Sequence, residues 1–401
     1  MKSNSRLKNS DIDDTRAFDV AILTSFDMHE GTATRNRVES FASAFLESEL
    51  VASLTIVCPK SHRGSPSFLN QKNFKEVATP KLRKTKFFLR AFDELKAAIC
   101  LWRSIWRENY HIVLVTVPSI FLLVPLIFST KKIVVVVDIR DAIWTYLQND
   151  RIERVAAQVF KFVARLAFRK SKFISVTNTF ELREVASLTA KNVVYIPNGI
   201  SRYQFKKFAS IPESAKGESE QNITEIAYFG NIGLAQKLEH LLSWARFKEG
   251  VRIKILGDGA ALKILVREYG FDGEKYKFTG YLNTKDILEE IKTSEILFAQ
   301  IGEEYSTAIP TKIFEYIVSG KKVLAGLPKG GAAEAVFAQF SGVYIFQTGS
   351  VEALEEAFRK AVNAKLSRVE IDNNRELIQA KYLRESGARV LASKAVNSVI
   401  Q

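Results

Sequence analysis

The sequence predicts an α/β protein built from two doubly wound, Rossmann-like domains. Three observations predict it. Apolar β-type runs alternate with helical patterns almost from end to end, the mark of repeated βα units forming parallel sheets covered on both faces. That alternation breaks once, at the polar stretch "ASIPESAKGESEQN" (209–222), and then restarts. Finally, 401 residues exceed one ordinary core, and 47% apolar with 25% charged residues is the composition of a folded soluble chain. The expected layout is a polar tail at 1–18, a first domain at 19–208 and a linker at 209–222. A second domain follows at 223–380, and a closing helix at 381–401 is free to cross back to the first.

In chain order, "MKSNSRLKNSDIDDTRAF" is polar and charged and has no apolar core of a secretory signal. Strands are expected at 19–26, 52–59, 111–117, 132–138, 172–178 and 192–197, with helical patterns such as 35–50 and 86–108 between them. The run "IVLVTVPSIFLLVPLIF" (112–128) has the composition of a membrane span, but it is 17 residues long and holds Pro118 and Pro125. That is the bottom of the spanning range. A buried strand ending near Pro118, a short apolar helix or turn, and a second strand at 133–137 fit better, since continuous Val/Ile runs are how doubly covered parallel strands read. Cys58 and Cys100 sit in apolar stretches and read as small core residues of a reducing compartment, not as a disulfide pair or a zinc site. Strands resume at 225–230, 252–257, 276–281, 296–301, 321–326 and 342–347, and 370–400 is helical with no further strand.

The net charge of +14 is lopsided. Residues 1–205 hold 31 Lys/Arg against 19 Asp/Glu, or +12, and the remainder holds 27 against 25, or +2. Two stretches carry the excess: 81–109, where bases mix with Phe87, Phe88, Phe92, Trp102 and Trp106, and 151–173, a helical pattern with one acidic residue. A basic face with aromatics suits an anionic membrane surface. An ordinary solvated helix face over a core is the bland alternative. No nucleic-acid partner is expected, because the charge lies in one half and no recognition motif accompanies it.

Doubly wound sheets bind ligands at the carboxyl ends of their strands, and with two such domains the groove they share is the default site. Glycines stand at several of those strand ends. "GTATRNR" (31–37) follows the first strand, "GNIG" (230–233) follows the first strand of the second half, and "ILGDGA" (255–260) is a further strand-to-glycine turn. Glycine permits close backbone approach, and helix N-terminal amides favour a phosphate. Neither G-x-G-x-x-G nor the Walker lysine motif occurs. In "STAIPTKIFEYIVSGKKVLAG" (306–326), Ile309-Pro310 opens a helix and Thr311 and Lys312 lie in its first turn. Glu315 sits one turn on, and Gly320 ends the helix. A carboxylate there can accept two hydrogen bonds from a ribose diol, and Lys312 can meet a diphosphate. An ordinary surface Glu and Lys is the competing explanation.

These stretches carry a resemblance. "YFGNIGLAQKLEHLL", "ILGDGA", "FTGYL" and "IPTKIFEYIVSGKKVLAG" resemble, in order and spacing, the nucleotide-sugar domain of retaining GT-B glycosyltransferases (glycosyltransferase family 4). The likeness is nearest to bacterial polysaccharide enzymes of the L-fucosamine transferase type. "EGTATRNRVESFASAFLESEL", "VVVVDIRDAIW" and "VTNTFELREVA…VVYIPNGI" fit more loosely, and the resemblance spans roughly 19–365. It implies a GT-B fold and transfer of a sugar from a nucleotide diphosphate sugar to an acceptor hydroxyl, with retention, in surface polysaccharide or glycolipid assembly.

The resemblance further implies that Glu315 holds the ribose and that Gly230, Asn231 and Gly233 form the diphosphate-facing loop. Gly31 and Thr32 would approach the same phosphates from the first domain. Lys312 would neutralise the leaving group, with Ile309 and Thr311 among the nucleotide-binding residues. Two departures stand out. The family's first glutamate falls at Thr307, and its phosphate-loop arginine and lysine fall at Asn231 and Gln236, with Lys237 one position off. Arg140 replaces a histidine and, with Asp141, is the candidate acceptor side; a salt-bridged strand end is the alternative for that pair. The implied donor is a nucleotide sugar, with no metal and no bound cofactor, and the implied acceptor is a glycan or lipid-linked sugar at the cytoplasmic face of the membrane. Rival readings are a sugar-nucleotide epimerase of the same architecture and a degenerate, non-catalytic partner or scaffold protein.

Overall fold

Runs of β-branched residues become strands throughout the computed structural model, which describes residues 17–26, 28, 33–60, 74–80, 87–117, 119–147, 150–212 and 223–400. The first half contains β1 (Phe18–Thr24), α1 (Ala33–Leu46), β2 (Val51–Pro59), β3 (Phe74–Val77), α2 (Phe87–Trp106) and β4 (Ile112–Val117). After these come α3 (Leu123–Ile127), β5 (Val134–Ile139), α4 (Arg151–Lys170), β6 (Phe173–Val176), α5 (Thr179–Ala186), β7 (Val193–Tyr195) and α6 (Arg202–Ala209). The second half contains β8 (Thr224–Phe229), α7 (Glu239–Ala245), β9 (Val251–Leu256), α8 (Leu262–Tyr269), β10 (Tyr276–Gly280), α9 (Thr284–Thr293) and β11 (Ile296–Gln300). It continues through α10 (Lys312–Val318), β12 (Lys322–Leu327), α11 (Ala332–Phe337), β13 (Val343–Gln347), α12 (Val351–Asn363), α13 (Arg368–Lys381) and α14 (Arg384–Ile400).

Seven strands form one sheet in the order β3-β2-β1-β4-β5-β6-β7, and six form another in the order β10-β9-β8-β11-β12-β13. Strand pairing is parallel, as in β1 with β2 and β4, and in β8 with β9 and β11. Both sheets run outward from their first strand and then reverse, the doubly wound order with a switch point at β1/β4 and at β8/β11. The chain falls into two compact units. One is built from described residues of Met1–Asp138, Val163–Ile174 and Arg389–Gln401, the other from Ile139–Phe162 and Ser175–Ala388.

Period-two alternation fixes the faces of the six-stranded sheet. Ile226, Tyr228, Ile296 and Phe298 pack into one apolar cluster with Leu241, Leu242 and Leu265. Ala227, Phe229, Leu297 and Ala299 pack into the other with Ile313, Phe314 and Ile317 of α10. Apolar burial on both faces is why these strands read as unbroken hydrophobic runs.

The 112–128 run resolves as expected into β4, a 3-10 turn at Ile120–Leu122 and the short α3 before β5. Among the described residues no helix is long and apolar enough to cross a membrane. One strand escaped the sequence reading. β3, "FKEV", has four residues with Lys75 and Glu76 inside it and lies at the sheet edge. Charged, short edge strands carry no alternation to detect, which is also how edges avoid pairing with other chains.

Candidate functional site

The carboxyl end of β8 leads directly into Gly230, Asn231, Ile232 and Gly233, and β11 leads through 301–311 into α10. Both segments therefore leave the sheet at its switch point. The β8 loop is held in place by backbone bonds: Gly230 N donates to Leu256 O at 2.9 Å, Ile232 N to Asp258 O at 2.8 Å, and Ala261 N to Ile232 O at 2.9 Å. Glycine is required where these loops meet. Gly257 has φ +143°, and a Cβ there would lie 1.9 Å from Gly230 O. Gly230 has φ +128°, and its added Cβ would lie 2.7 Å from Lys312 Nζ.

That second distance brings the loop and α10 together. Lys312 Nζ donates to the Tyr228 hydroxyl at 2.5 Å and stands 4.1 Å from that ring's centroid. The same hydroxyl donates to Asn231 O at 2.5 Å. Tyr316, one turn beyond, bonds the end of β8 by accepting from Phe229 N at 3.1 Å, and its ring packs 4.6 Å from Phe229. Gln204 Nε2 of α6 donates to Glu315 Oε1 at 2.8 Å. Gln204 is itself fixed in a capping box with Ser201, so its amide reaches Glu315 from a rigid helix start.

Burial governs the charges here. It raises the Glu315 carboxyl to about 7, with Lys312 and Arg384 pulling the other way. It lowers the Lys312 ammonium to about 8, opposed by Glu315. Desolvation also pushes the Tyr228 hydroxyl well above its ordinary range, so Tyr228 is a neutral hydrogen-bond partner for Lys312. An anion arriving beside Gly230 would raise the Lys312 ammonium back toward its ordinary range.

The other sequence candidates are placed as follows. Gln236 Oε1 accepts from Gly233 N at 2.9 Å, closing the loop on itself. Lys237 has φ +46°, the one left-handed non-glycine residue among those described, and Gln300 Nε2 holds its carbonyl at 2.9 Å. Its ammonium lies 3.8 Å from Glu304. Non-glycine residues in this conformation concentrate at binding sites, because the surrounding fold has to maintain them. Ile309 packs against the α10 core cluster, and Thr311 immediately precedes Lys312 without a side-chain cap bond. Gly31 and Thr32 lie outside the described residues.

Arg140 and Asp141 follow β5. Thr177 Oγ1 donates to Arg140 O at 3.3 Å. Desolvation raises the Asp141 carboxyl from its ordinary value, against the pull of Arg140 and a hydrogen bond from Tyr146. The Thr307 hydroxyl in turn donates to the Tyr146 hydroxyl, and Asn178 Nδ2 donates to Thr307 O at 3.0 Å. A chain of three groups, Thr307, Tyr146 and Asp141, therefore links the loop before α10 to a carboxylate. Tyr146, Asn178, Gln204 and Tyr228 all escaped the sequence reading. Ser201-x-x-Gln204 had a local signal, the capping box, and Asn178 had one as the N-cap of α5; Tyr146 and its partner Thr307 are far apart in sequence. Among the described residues no group of three or more His, Cys, Asp or Glu side chains could hold a metal ion.

Residues 212–377 match the family model described as glycosyl transferases group 1. Over nearly its full length the chain is similar to sucrose-phosphate synthase from Thermosynechococcus elongatus, with a TM-score of 0.73 at 12% identity over 96% of this chain and 99% of that one. It is similar to Anabaena HepE in complex with UDP and glucose, with a TM-score of 0.65 at 12% identity over 95% and 100%. The apo lipopolysaccharide outer core galactosyltransferase WaaB gives 0.63 at 12% identity over 95% and 99%. No curated protein sequence matches the chain. At such identities the structural likeness is one of fold. Fold and family model together define the class, a transferase enzyme of GT-B fold. The family-model match over 212–377 takes in α10 and the β8 loop.

Proposed function

We propose that this chain transfers a sugar from a nucleotide diphosphate sugar to an acceptor hydroxyl with retention of anomeric configuration, in the assembly of a bacterial surface polysaccharide or glycolipid. The observation that carries the donor half is the pairing of Lys312 and Glu315 on one turn of α10, with Lys312 Nζ against Gly230 at the switch point. Two distinct charges one turn apart suit the two ends of a nucleoside diphosphate. Glu315 accepts the ribose hydroxyls, and Lys312 with the Asn231 amide of the β8 loop neutralises the diphosphate as it departs. HepE, which shares the fold, was solved with UDP and glucose, which supports a donor of this kind. The leaving group's charge is met by lysine and a backbone amide, so we propose turnover without a divalent ion. Arg140 and Asp141 are proposed for the acceptor side, and the acceptor is a glycan or a lipid-linked sugar. Peripheral contact between the basic N-terminal half and an anionic cytoplasmic membrane face completes the proposal.

A screen of nucleotide sugars, reading release of nucleoside diphosphate with and without a lipid-linked acceptor, tests this. Expected is release from one donor class that persists in EDTA, with product anomeric configuration retained by NMR. The rival of a non-catalytic partner protein rests on Thr307 standing where the resembling family has a glutamate. It predicts a silent calorimetric titration with every nucleotide sugar.

A further inference from the structure

Helix α4 shows an outward face that its own packing does not require. It closes on the fold through small residues and one aromatic, Ala157, Ala164, Ala167 and Phe168, all buried. At roughly 100° per residue, the opposite side carries Ile152, Val155, Val159 and Phe162 at spacings of three, four and three. These form a single apolar ridge, and each is between 52% and 66% exposed. Among the described residues no other helix exposes four large apolar side chains. Placing such a ridge in water serves no purpose of the fold.

The charges beside it indicate the occupant. Arg151, Arg154, Arg165 and Arg169 are exposed and line the same outward arc on the ridge's flank, with Lys170 at the C-terminal end. Lys161 is the exception, turned aside into an ion pair with Glu184 at 2.8 Å. The helix's one acidic residue, Glu153, lies away from the ridge in the first turn, where its backbone N–H is capped by Asp150 Oδ1 at 2.8 Å. An apolar ridge edged by arginines with no carboxylate among them is complementary to a layer that is apolar inside and anionic at its surface. A second copy of the chain would set arginine against arginine.

We infer that the outward face of α4 is a membrane-docking surface, lying in the plane of an anionic bilayer with Ile152, Val155, Val159 and Phe162 in the acyl boundary and the arginines among the headgroups. This rests on the peripheral contact proposed above and assigns it to one helix face; it does not depend on which sugar is moved. The full-length chain is tested for co-sedimentation with vesicles of phosphatidylcholine alone and with phosphatidylglycerol added. Binding is expected only to the anionic vesicles, falling as salt is raised. Val159→Ser with Phe162→Ser should lower partitioning about tenfold or more. Arg165→Gln with Arg169→Gln should lower it without removing an apolar group. Phe271→Ser, an exposed aromatic of the second half, should leave it unchanged. Both α4 pairs should keep the wild-type unfolding temperature and release nucleoside diphosphate from soluble donor at the wild-type rate.

Full anionic-vesicle binding by the Val159/Phe162 variant would overturn the α4 assignment while leaving the membrane contact standing. No binding by the unaltered chain would overturn both. A concentration-dependent dimer that disappears in the same variant, without vesicle binding, would assign the ridge to a second copy and overturn the inference. Loss of donor turnover in every form, with binding intact, would strike only at the sugar-transfer reading.

Discussion

Glu315 and Lys312 were legible as residues of interest because a charged pair interrupts an otherwise apolar helix start. Their environment was not legible, since Tyr228 and Gln204 come from 84 and 111 positions away. That environment would set the pH behaviour of the proposed donor binding. In the proposed donor site Glu315 would accept ribose hydroxyls best when ionised, so affinity should fall as pH drops through about 7. Lys312 would serve the proposed diphosphate only when protonated, so affinity should fall as pH rises through about 8. Donor kcat/KM against pH should therefore be a narrow bell. Glu315→Gln should abolish the acid limb and raise donor KM roughly ten- to hundredfold, as loss of charge-assisted hydrogen bonds worth about 1.5–3 kcal/mol implies. A broad profile unchanged in that variant would refute the ribose assignment. Tyr146 supplies a second test. It bridges Thr307 to Asp141, so Tyr146→Phe keeps the ring and breaks the chain. Its kcat/KM should fall about tenfold with little change in unfolding temperature. Equal loss in the two measurements would make the tyrosine structural.

At the level of elements, strands were easy to find and their partners were not. β4 and β5 announce themselves as Val/Ile runs, yet nothing local says that Asp138, last but one in β5, is matched by Arg37 of α1. The guanidinium meets that carboxylate twice, Nε to Oδ2 at 2.9 Å and Nη2 to Oδ1 at 2.7 Å, with both side chains essentially buried. "TRNR" read as a phosphate-facing loop and helix start; part of what it supplies is this structural pair. Breaking a buried ion pair from one side leaves a stranded charge, so Asp138→Ala should cost about 3–5 kcal/mol in urea unfolding. Asp138→Ala with Arg37→Met should recover much of it. Gly257→Ala acts on another junction, where the β9 turn touches the β8 loop 1.9 Å from the would-be methyl carbon. Crowding of that kind typically costs about 1–3 kcal/mol, and here it should also raise donor KM, because the atom displaced is the carbonyl of Gly230.

Across the whole molecule, the two charges of the candidate site bear on stability as well as binding. The folded Glu315 carboxyl holds its proton to about 7 against an ordinary 4.5. Between those values the folded chain binds more protons than the unfolded one, and stability falls as pH rises. Lys312 is the reverse: it gives up its proton at about 8 in the fold against an ordinary 10.5, so stability recovers as pH climbs through that interval. Each shift corresponds to on the order of 3 kcal/mol at full extent. The two penalties overlap between about 7 and 8, the same window in which both groups carry the charges the proposed donor would require. The fold is thus least favoured by this pair where the site is ready to bind, and a nucleoside diphosphate should offset the penalty there. Urea unfolding at pH 5, 7.5 and 10 should show the dip as a difference between wild type and a Lys312→Met, Glu315→Gln double variant, since every other titration cancels. The double variant should gain most at pH 7.5, and donor should raise wild-type stability there while leaving the variant unmoved. A constant difference across the three pH values would mean the pair is solvated in solution and that its readiness comes at no cost to the fold.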